Sequence, residues 1–338
     1  MRNRDSQSAA TDARIRVLAL IYPIEQHVGH WASSSPSIDL VRIIMEGDDL
    51  PARLLQAIRQ HRPQAIAVIG KRVAEYLDLL DRLSEVEPQL RRVPRVYRCQ
   101  NTALAHRVTD IAGKSDKPRL AALSPWFARA CDPRFSLVLV QTWDDVELIS
   151  RALAPTCVAA CPYGYDASIF DPSLPDLPKT TDVGCYLNLK HDARRIRLVE
   201  TAREICHRRG WTFRFAAGNY WHDYANQIRA TKVCLHYSEF QEIPYRMYET
   251  MVLGSLFLTD PLRYSVERFF DLGAQFLTFE PDLTNLEQVL EDVLTSQERW
   301  NSIRLNGKER ACKYTWADVA EEYVVPALRE IVDARGGR

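Results

Sequence analysis

Glycine is scarce in this sequence, 13 among 338 residues, and none falls in a GxGxxG or GxxxxGK arrangement. The tight turn that lets a dinucleotide pyrophosphate approach a helix N-terminus is therefore missing, and so is the loop that cradles ATP phosphates. Ordinary nicotinamide dehydrogenases and P-loop kinases are excluded. The 8 cysteines (Cys99, Cys131, Cys157, Cys161, Cys185, Cys206, Cys234 and Cys312) show no CxxC or zinc-ribbon spacing. They lie in apolar segments and read as buried, reduced thiols. His191, His222 and His236 lack metal-ligand spacing, so no metal is assigned. No sign of charge is in excess, with 44 Lys plus Arg against 44 Asp plus Glu, and nucleic acid is not expected as a partner. No apolar run is long enough to span a bilayer. The run from Val17 to Ile24 is short and strand-like, and residues 1–14 are polar, so the expected location is cytoplasmic.

What is present is ordinary globular composition, 46% hydrophobic and 26% charged, in a length that suggests two domains. Short aliphatic runs alternate with amphipathic stretches of helical length, the pattern of parallel sheets covered by helices on both faces. Strands are expected at 16–22, 37–45, 64–69, 93–98, 135–141 and 156–161. Helices are expected at 51–61 and 73–90, and another runs to Leu153 from a capping box made by Thr142 and Asp145. From Tyr163 to Asp182 the periodicity stops, and Pro172, Pro175 and Pro178 exclude helix or central strand. The pattern then restarts with strands at 183–188, 212–216, 233–237, 255–259 and 275–279, with helices at 193–209, 220–230 and 244–253. The chain is thus divided into a first doubly wound domain (1–164), a linker (165–182) and a second domain (183–338).

Two segments carry candidate chemistry. In the run from Pro244 to Gly254, Pro stands at the expected first helical position and Gly just past the end. At 100° per residue, Met247, Tyr248, Met251 and Val252 share one face, and Arg246, Glu249 and Thr250 share the other. A carboxylate beside the C-terminal ends of strands can accept two ribose hydroxyls, and a guanidinium can grip phosphate with its planar fork. The same pair also fits an i, i+3 surface ion pair. In the second segment, Asn188 to Arg195, Asp192 is the natural N-cap of a helix whose first turn carries Arg194 and Arg195. Cations are unfavourable there, and a bound anion such as a diphosphate resolves the conflict.

Three pieces in order, Cys161 to Pro172, Asp182 to Asn188 with Arg194 and Arg195, and Tyr245 to Glu249 running on through Leu253 to Asp260, resemble glycosyltransferase family 4. The likeness is greatest to its spore-maturation-protein (CgeB-like) branch and covers roughly residues 158–325. That resemblance implies a GT-B fold, α/β with two facing Rossmann-like doubly wound domains and an interdomain cleft. It also implies a nucleotide-sugar donor in the C-terminal domain and transfer that usually retains configuration at the anomeric carbon. By the same resemblance Glu249 binds the donor ribose and Arg246 lies near the phosphates, with Tyr245 and Thr250 beside them. Lys190, Arg194 and Arg195 become the candidate diphosphate grip. Fixed positive groups then replace a metal, in keeping with the absence of a DxD motif, and no cofactor is expected. The sequence departs from the family at residue 241, a Gln where a second glutamate is common, with Glu239 and Glu242 nearby. It departs again at Pro244, where the branch often has Asn.

In the N-terminal half, the loop after the first strand holds His27, Gly29, His30 and Trp31. Gly29 stands where a GT-B enzyme brings a glycine-containing loop to the donor, and His30 is the candidate catalytic residue, since imidazole titrates near neutrality. Gly70, Lys71 and Arg72 close another strand and are candidates for acceptor or phosphate contact. The leading expectation is an enzyme that moves a sugar from a nucleotide diphosphate donor to an unidentified acceptor. Two alternatives are a GT-B relative that binds a nucleotide-sugar or a partner protein without turnover, and a flavodoxin-like binding protein.

Overall fold

The computed structural model describes residues 14–21, 35–70, 72–99, 129–153, 156–189, 192–217, 222–238 and 241–336. The chain forms two compact units, one made of Met1–Pro162 together with Trp316–Arg338, the other of Tyr163–Thr315.

The first unit is built on a six-stranded sheet of order β2-β1-β3-β4-β5-β6. Its strands are β1 (Ile15–Ile21), β2 (Ile38–Ile44), β3 (Ala65–Ile69), β4 (Arg95–Arg98), β5 (Leu137–Val140) and β6 (Cys157–Ala160). Every pairing in it is parallel. Strands buried on both faces read as near-continuous aliphatic runs, and β1 and β3 do. Helices α1 (Leu50–His61) and α2 (Val73–Val86) cover one face, and Leu54, Ala57 and Ile58 of α1 pack beside Leu77 and Leu80 of α2. Helix α2 is shorter than expected. It stops at Val86 because Pro88 cannot continue it, and Pro88–Arg92 forms a 3₁₀ turn. The expected capping box opens α3 (Trp143–Leu153): the Thr142 hydroxyl accepts the Asp145 N–H at 3.1 Å and donates to the Asp145 carboxylate at 2.9 Å.

The second unit carries a five-stranded sheet of order β11-β10-β9-β7-β8, also parallel throughout. Its strands are β7 (Thr181–Cys185), β8 (Phe213–Phe215), β9 (Thr231–Leu235), β10 (Leu256–Thr259) and β11 (Leu277–Thr278). Between them run α4 (Ala193–Arg209), α5 (His222–Arg229), α6 (Tyr245–Val252) and α7 (Val266–Phe269), followed by α8 (Leu286–Leu294) and α9 (Gln297–Ala311). Helix α4 has the expected limits, with the Asp192 carboxylate accepting the Arg194 N–H and Gly210 in the left-handed conformation that ends it. Helix α6 starts one residue later than expected, with Pro244 as the N-cap rather than the first helical residue.

Two expectations about domain limits are corrected. The segment 165–182 is not a free linker: it lies within the second unit, and its Lys179 ammonium donates to the carbonyls of Arg229 (2.8 Å) and Gly254 (2.9 Å) just past α5 and α6. Cations suit the unsatisfied carbonyls at helix C-termini. The second unit also does not run to the C-terminus. Residues from Trp316 onward, α10 (Trp316–Val319), a π turn (Ala320–Val324) and α11 (Val325–Gly336), belong to the first unit. The reason is an apolar stripe, Val324, Val325, Leu328 and Ile331, which fills the second face of the first sheet against Val17, Ala19, Val96 and Leu139. The Glu321 carboxylate adds bonds to the Ser37 N–H (3.0 Å) and hydroxyl (2.8 Å).

Gly307 sits inside α9, where a Cβ would lie 2.6 Å from the Gln275 carbonyl oxygen. Main chain cannot move aside as a side chain can, so Gly307→Ala is expected to destabilise the protein by about 1–3 kcal/mol, read as a lowered midpoint in thermal or urea unfolding. An unchanged midpoint would show that α9 does not approach the β11 loop this closely.

Candidate functional site

In the second sheet, β7 leads to β8 on one side while β9, the next strand, lies on its other side. Open α/β sheets bind ligands at such a reversal, in the crevice beyond the C-terminal ends of the strands. The polar residues of this unit gather at that edge.

Arg195, in the first turn of α4, is only 7% exposed. Its Nε donates to the Tyr237 carbonyl beyond β9 (3.2 Å) and its Nη1 to the Asn188 carbonyl beyond β7 (3.1 Å). It therefore ties the two strand ends together across the reversal. Arg194 is more open and lies with its guanidinium 5.0 Å from the centre of the Tyr237 ring. Its Nε and Nη2 bond the Asp192 carboxylate at 3.1 and 2.8 Å, and these bonds to Arg194 hold the Asp192 carboxyl below its usual range. The conflict between these cations and the helix dipole is thus already relieved by Asp192, without any ligand.

Helix α6 supplies the second group of predicted residues. Burial, Arg246 and Tyr224 compete over Glu249, which is 9% exposed. Burial dominates and raises its carboxyl pKa to about 7, against the opposing pull of the Arg246 charge and the Tyr224 hydrogen bond. The Tyr224 hydroxyl on α5 donates to Glu249 Oε2 at 3.1 Å. Arg246 is partly exposed and lies 5.4 Å from the Tyr224 ring centre and 5.9 Å from that of Tyr245. Tyr245 is exposed and meets Tyr163 edge to face at 5.8 Å. The helix does not divide as expected into an apolar and a polar face, because Glu249 and Thr250 are buried along with Met247, Tyr248, Met251 and Val252. Thr250 is packed away inside the unit.

Two further residues of the edge went unread in the sequence. His236, directly beyond β9, is 5% exposed and its ring lies 5.7 Å from that of Phe257. Burial holds its pKa well below the usual value, and the Arg246 and Arg195 charges push it the same way. Asp260, directly beyond β10, accepts the Ser238 N–H at 2.6 Å and the Thr259 hydroxyl at 3.0 Å. Burial lifts its pKa to about 6. His236 carried no signal beyond a polar residue at the end of an aliphatic strand, and Asp260 only its place at the end of the family-like run. Of the residues near the missing family glutamate, Glu242 bonds the Ser238 hydroxyl at 3.0 Å, and Gln241 adopts a left-handed turn (φ 58°).

The structure therefore brings Arg246 and Arg195 within electrostatic reach of His236, brings Arg246 and Tyr224 to Glu249, and sets Arg194 at the same sheet edge. Lys190, His191 and Glu239 lie outside the described residues, as do His27, Gly29, His30, Trp31 and Lys71. Among the described residues, no group of His, Cys, Asp and Glu is arranged to hold a metal ion, and no helix is long and apolar enough to cross a membrane.

Residues 194–324, which include Arg194, Arg195, His236, Arg246, Glu249 and Asp260, match the model of the glycosyl transferase-like family. No curated protein matches the chain. Among solved structures, sucrose-phosphate synthase from Thermosynechococcus elongatus superposes with a TM-score of 0.57 at 12% identity, over 95% of this chain and 100% of that one. HepE of Anabaena, solved with UDP-glucose, gives 0.58 at 12%, over 96% and 100%. WaaG, a glycosyltransferase of lipopolysaccharide biosynthesis, gives 0.56 at 12%, over 94% and 99%. The fold is GT-B. At this identity the structural likeness speaks for the architecture, two Rossmann-like units with parallel sheets.

The buried Glu249 allows a check on the site that needs no ligand. A carboxyl raised to about 7 in the folded state contributes stability that is fully present below its unfolded pKa and lost as pH rises through about 7. Glu249→Gln removes that titration. The variant is expected to gain stability on wild type between about pH 5 and pH 9, by about 3 kcal/mol at most, followed as the difference in unfolding midpoint. A difference independent of pH would mean that Glu249 is solvated.

Proposed function

We propose that this chain is a glycosyltransferase that moves a sugar from a nucleotide diphosphate donor to an acceptor, with the donor bound at the reversal of the second sheet. The observation that carries this reading is the pairing of Glu249 with Arg246 on one helix at that edge. The match of residues 194–324 to a glycosyl transferase-like family supports it, as do GT-B neighbours solved with UDP-glucose and with UDP.

In this reading Glu249, oriented by the Tyr224 hydroxyl, accepts the ribose hydroxyls. It binds best as the carboxylate, because the ionised form accepts at both oxygens. Arg246 holds the phosphates with its planar fork, and its neighbours Tyr224 and Tyr245 limit where the guanidinium can swing. Arg194 adds positive charge at the α4 N-terminus, and Lys190 as a further diphosphate ligand belongs to the proposal. Arg195 acts differently, as a positioning residue that fixes the two loops. Positive groups held in place beforehand stabilise the diphosphate as it departs with the bond electrons, which is the service a metal gives in other transferases. Metal independence, a hexose as the transferred sugar, retention at the anomeric carbon, the CgeB-like subgroup, a cytoplasmic location and acceptor deprotonation assisted by His30 belong to this proposal.

A relative that binds donor without turnover is the second reading, favoured by Gln241 in place of the upstream glutamate. The two part in one experiment, in which UDP-, GDP- and dTDP-sugars labelled in the sugar are offered to wild type and Glu249→Ala and both donor binding and sugar release are measured. Transfer or hydrolysis by wild type, reduced at least about 100-fold in the variant with its circular dichroism unchanged, is the expected result, since ribose hydrogen bonds to a buried carboxylate are lost. Binding without release at any acceptor favours the second reading. Unchanged binding in the variant would remove Glu249 from the site.

A further inference from the structure

His236 is a buried imidazole whose Nδ1 has no hydrogen-bond partner among the described residues. Such groups are rare, because a buried donor or acceptor left unmade costs a full desolvation penalty. Its surroundings among the described residues show why it is left unsatisfied. The ring follows β9 directly, at the sheet reversal, and lies against the Phe257 ring of β10. Among the described residues, the charged groups acting on it are Arg246 of α6 and Arg195 of α4, both positive. The acids of the same strand-end cluster, Glu249 on α6 and Asp260 beyond β10, are both pushed toward their protonated forms by burial and are bonded to Tyr224 and to Ser238 and Thr259. The nearby Cys185 thiol, raised to about 12, is neutral. A buried polar atom without a partner among the described residues, acted on by two guanidiniums, is suited to an anion.

We propose that His236 is a ligand of the donor diphosphate: its Nδ1–H donates to a phosphate oxygen that enters between Arg195 and Arg246. This rests on the donor reading given above and adds a residue to it. In the free protein two positive neighbours and burial keep the ring neutral. A phosphate brings negative charge to the ring and offsets the neighbours, so the imidazole takes up a proton from solvent as the nucleotide binds. The sign follows: binding through His236 tightens as pH falls from about 8 to 6, whereas any contribution of the Glu249 carboxylate runs the other way.

The test is calorimetric titration of the whole chain with UDP, GDP, dTDP and ADP, using the tightest binder, at several pH values and in two buffers of different ionisation enthalpy. His236→Phe keeps an aromatic ring against Phe257 but has no donor. His236→Asn keeps an amide N–H close to the Nδ1 position and cannot titrate. Relative to wild type, His236→Phe is expected to weaken binding about tenfold, the effect of one hydrogen bond to a charged group, and to abolish the proton uptake. His236→Asn is expected to retain most of the affinity at about pH 8 and also to lose the uptake. Comparing proteins with the same ligand cancels the titration of the nucleotide's own phosphate. Should His236→Phe fail to fold, the Asn variant still reports the proton uptake. Unchanged affinity in His236→Phe, unchanged uptake in either variant, or equal weakening in both would overturn the role of His236 while leaving the donor site in place. If wild type binds none of the four nucleotides, the donor reading falls and takes this inference with it.

Discussion

The guanidinium of Arg195 spans the point where the second sheet reverses its strand order. By bonding the carbonyls of Asn188 and Tyr237 it fixes the ends of β7 and β9 relative to each other. Everything at the proposed donor site hangs from those two ends: Arg194 and Asp192 at the start of α4, His236 beyond β9, and the loop that leads through Ser238 and Glu242 into α6. A planar fork can hold two carbonyls at once, which a lysine ammonium does with far less directional control. The buried arginine thus replaces the glycine-rich turn that organises this edge in dinucleotide-binding sheets.

The second constraint is charge. Within the strand-end cluster burial raises Glu249 and Asp260 and lowers His236, each toward its neutral form, while Asp192 is held ionised by Arg194. The arginines cannot lose their charge in this way. The cluster is therefore left with net positive character in surroundings where charge is poorly screened. A core built only for stability gains nothing from such an excess. It becomes useful when an anion arrives, and perturbed groups gathered in one place at a sheet reversal are the common mark of a binding site.

Much of the fold was legible in the residues. Asp192, Gly210 and the aliphatic strands act over a few residues, so the limits of α4 and the succession of β and α elements followed from local rules. Glu249 and Arg246 could be singled out because their three-residue spacing on one helix is itself local. What could not be read depended on distant partners. Trp316–Arg338 belongs to the first unit because its apolar stripe fills a sheet face some 180 to 300 residues earlier in the chain. Arg194 and Arg195 have the same residue type and adjacent places, yet one is partly exposed over Tyr237 and the other is buried against two carbonyls.

The sequence by itself determined the alternation of strands and helices, the caps that delimit them, and the absence of the glycine motifs of ordinary nicotinamide dehydrogenases and P-loop kinases. Each of these depends on backbone preferences and hydrophobic period within a short window. The tertiary structure alone decided which polar residues lose their water. The burial of Glu249 beneath Tyr224, the isolation of the His236 imidazole and the division of labour between two neighbouring arginines follow from which strand ends meet at the reversal, and desolvation is a property of that meeting rather than of any residue alone.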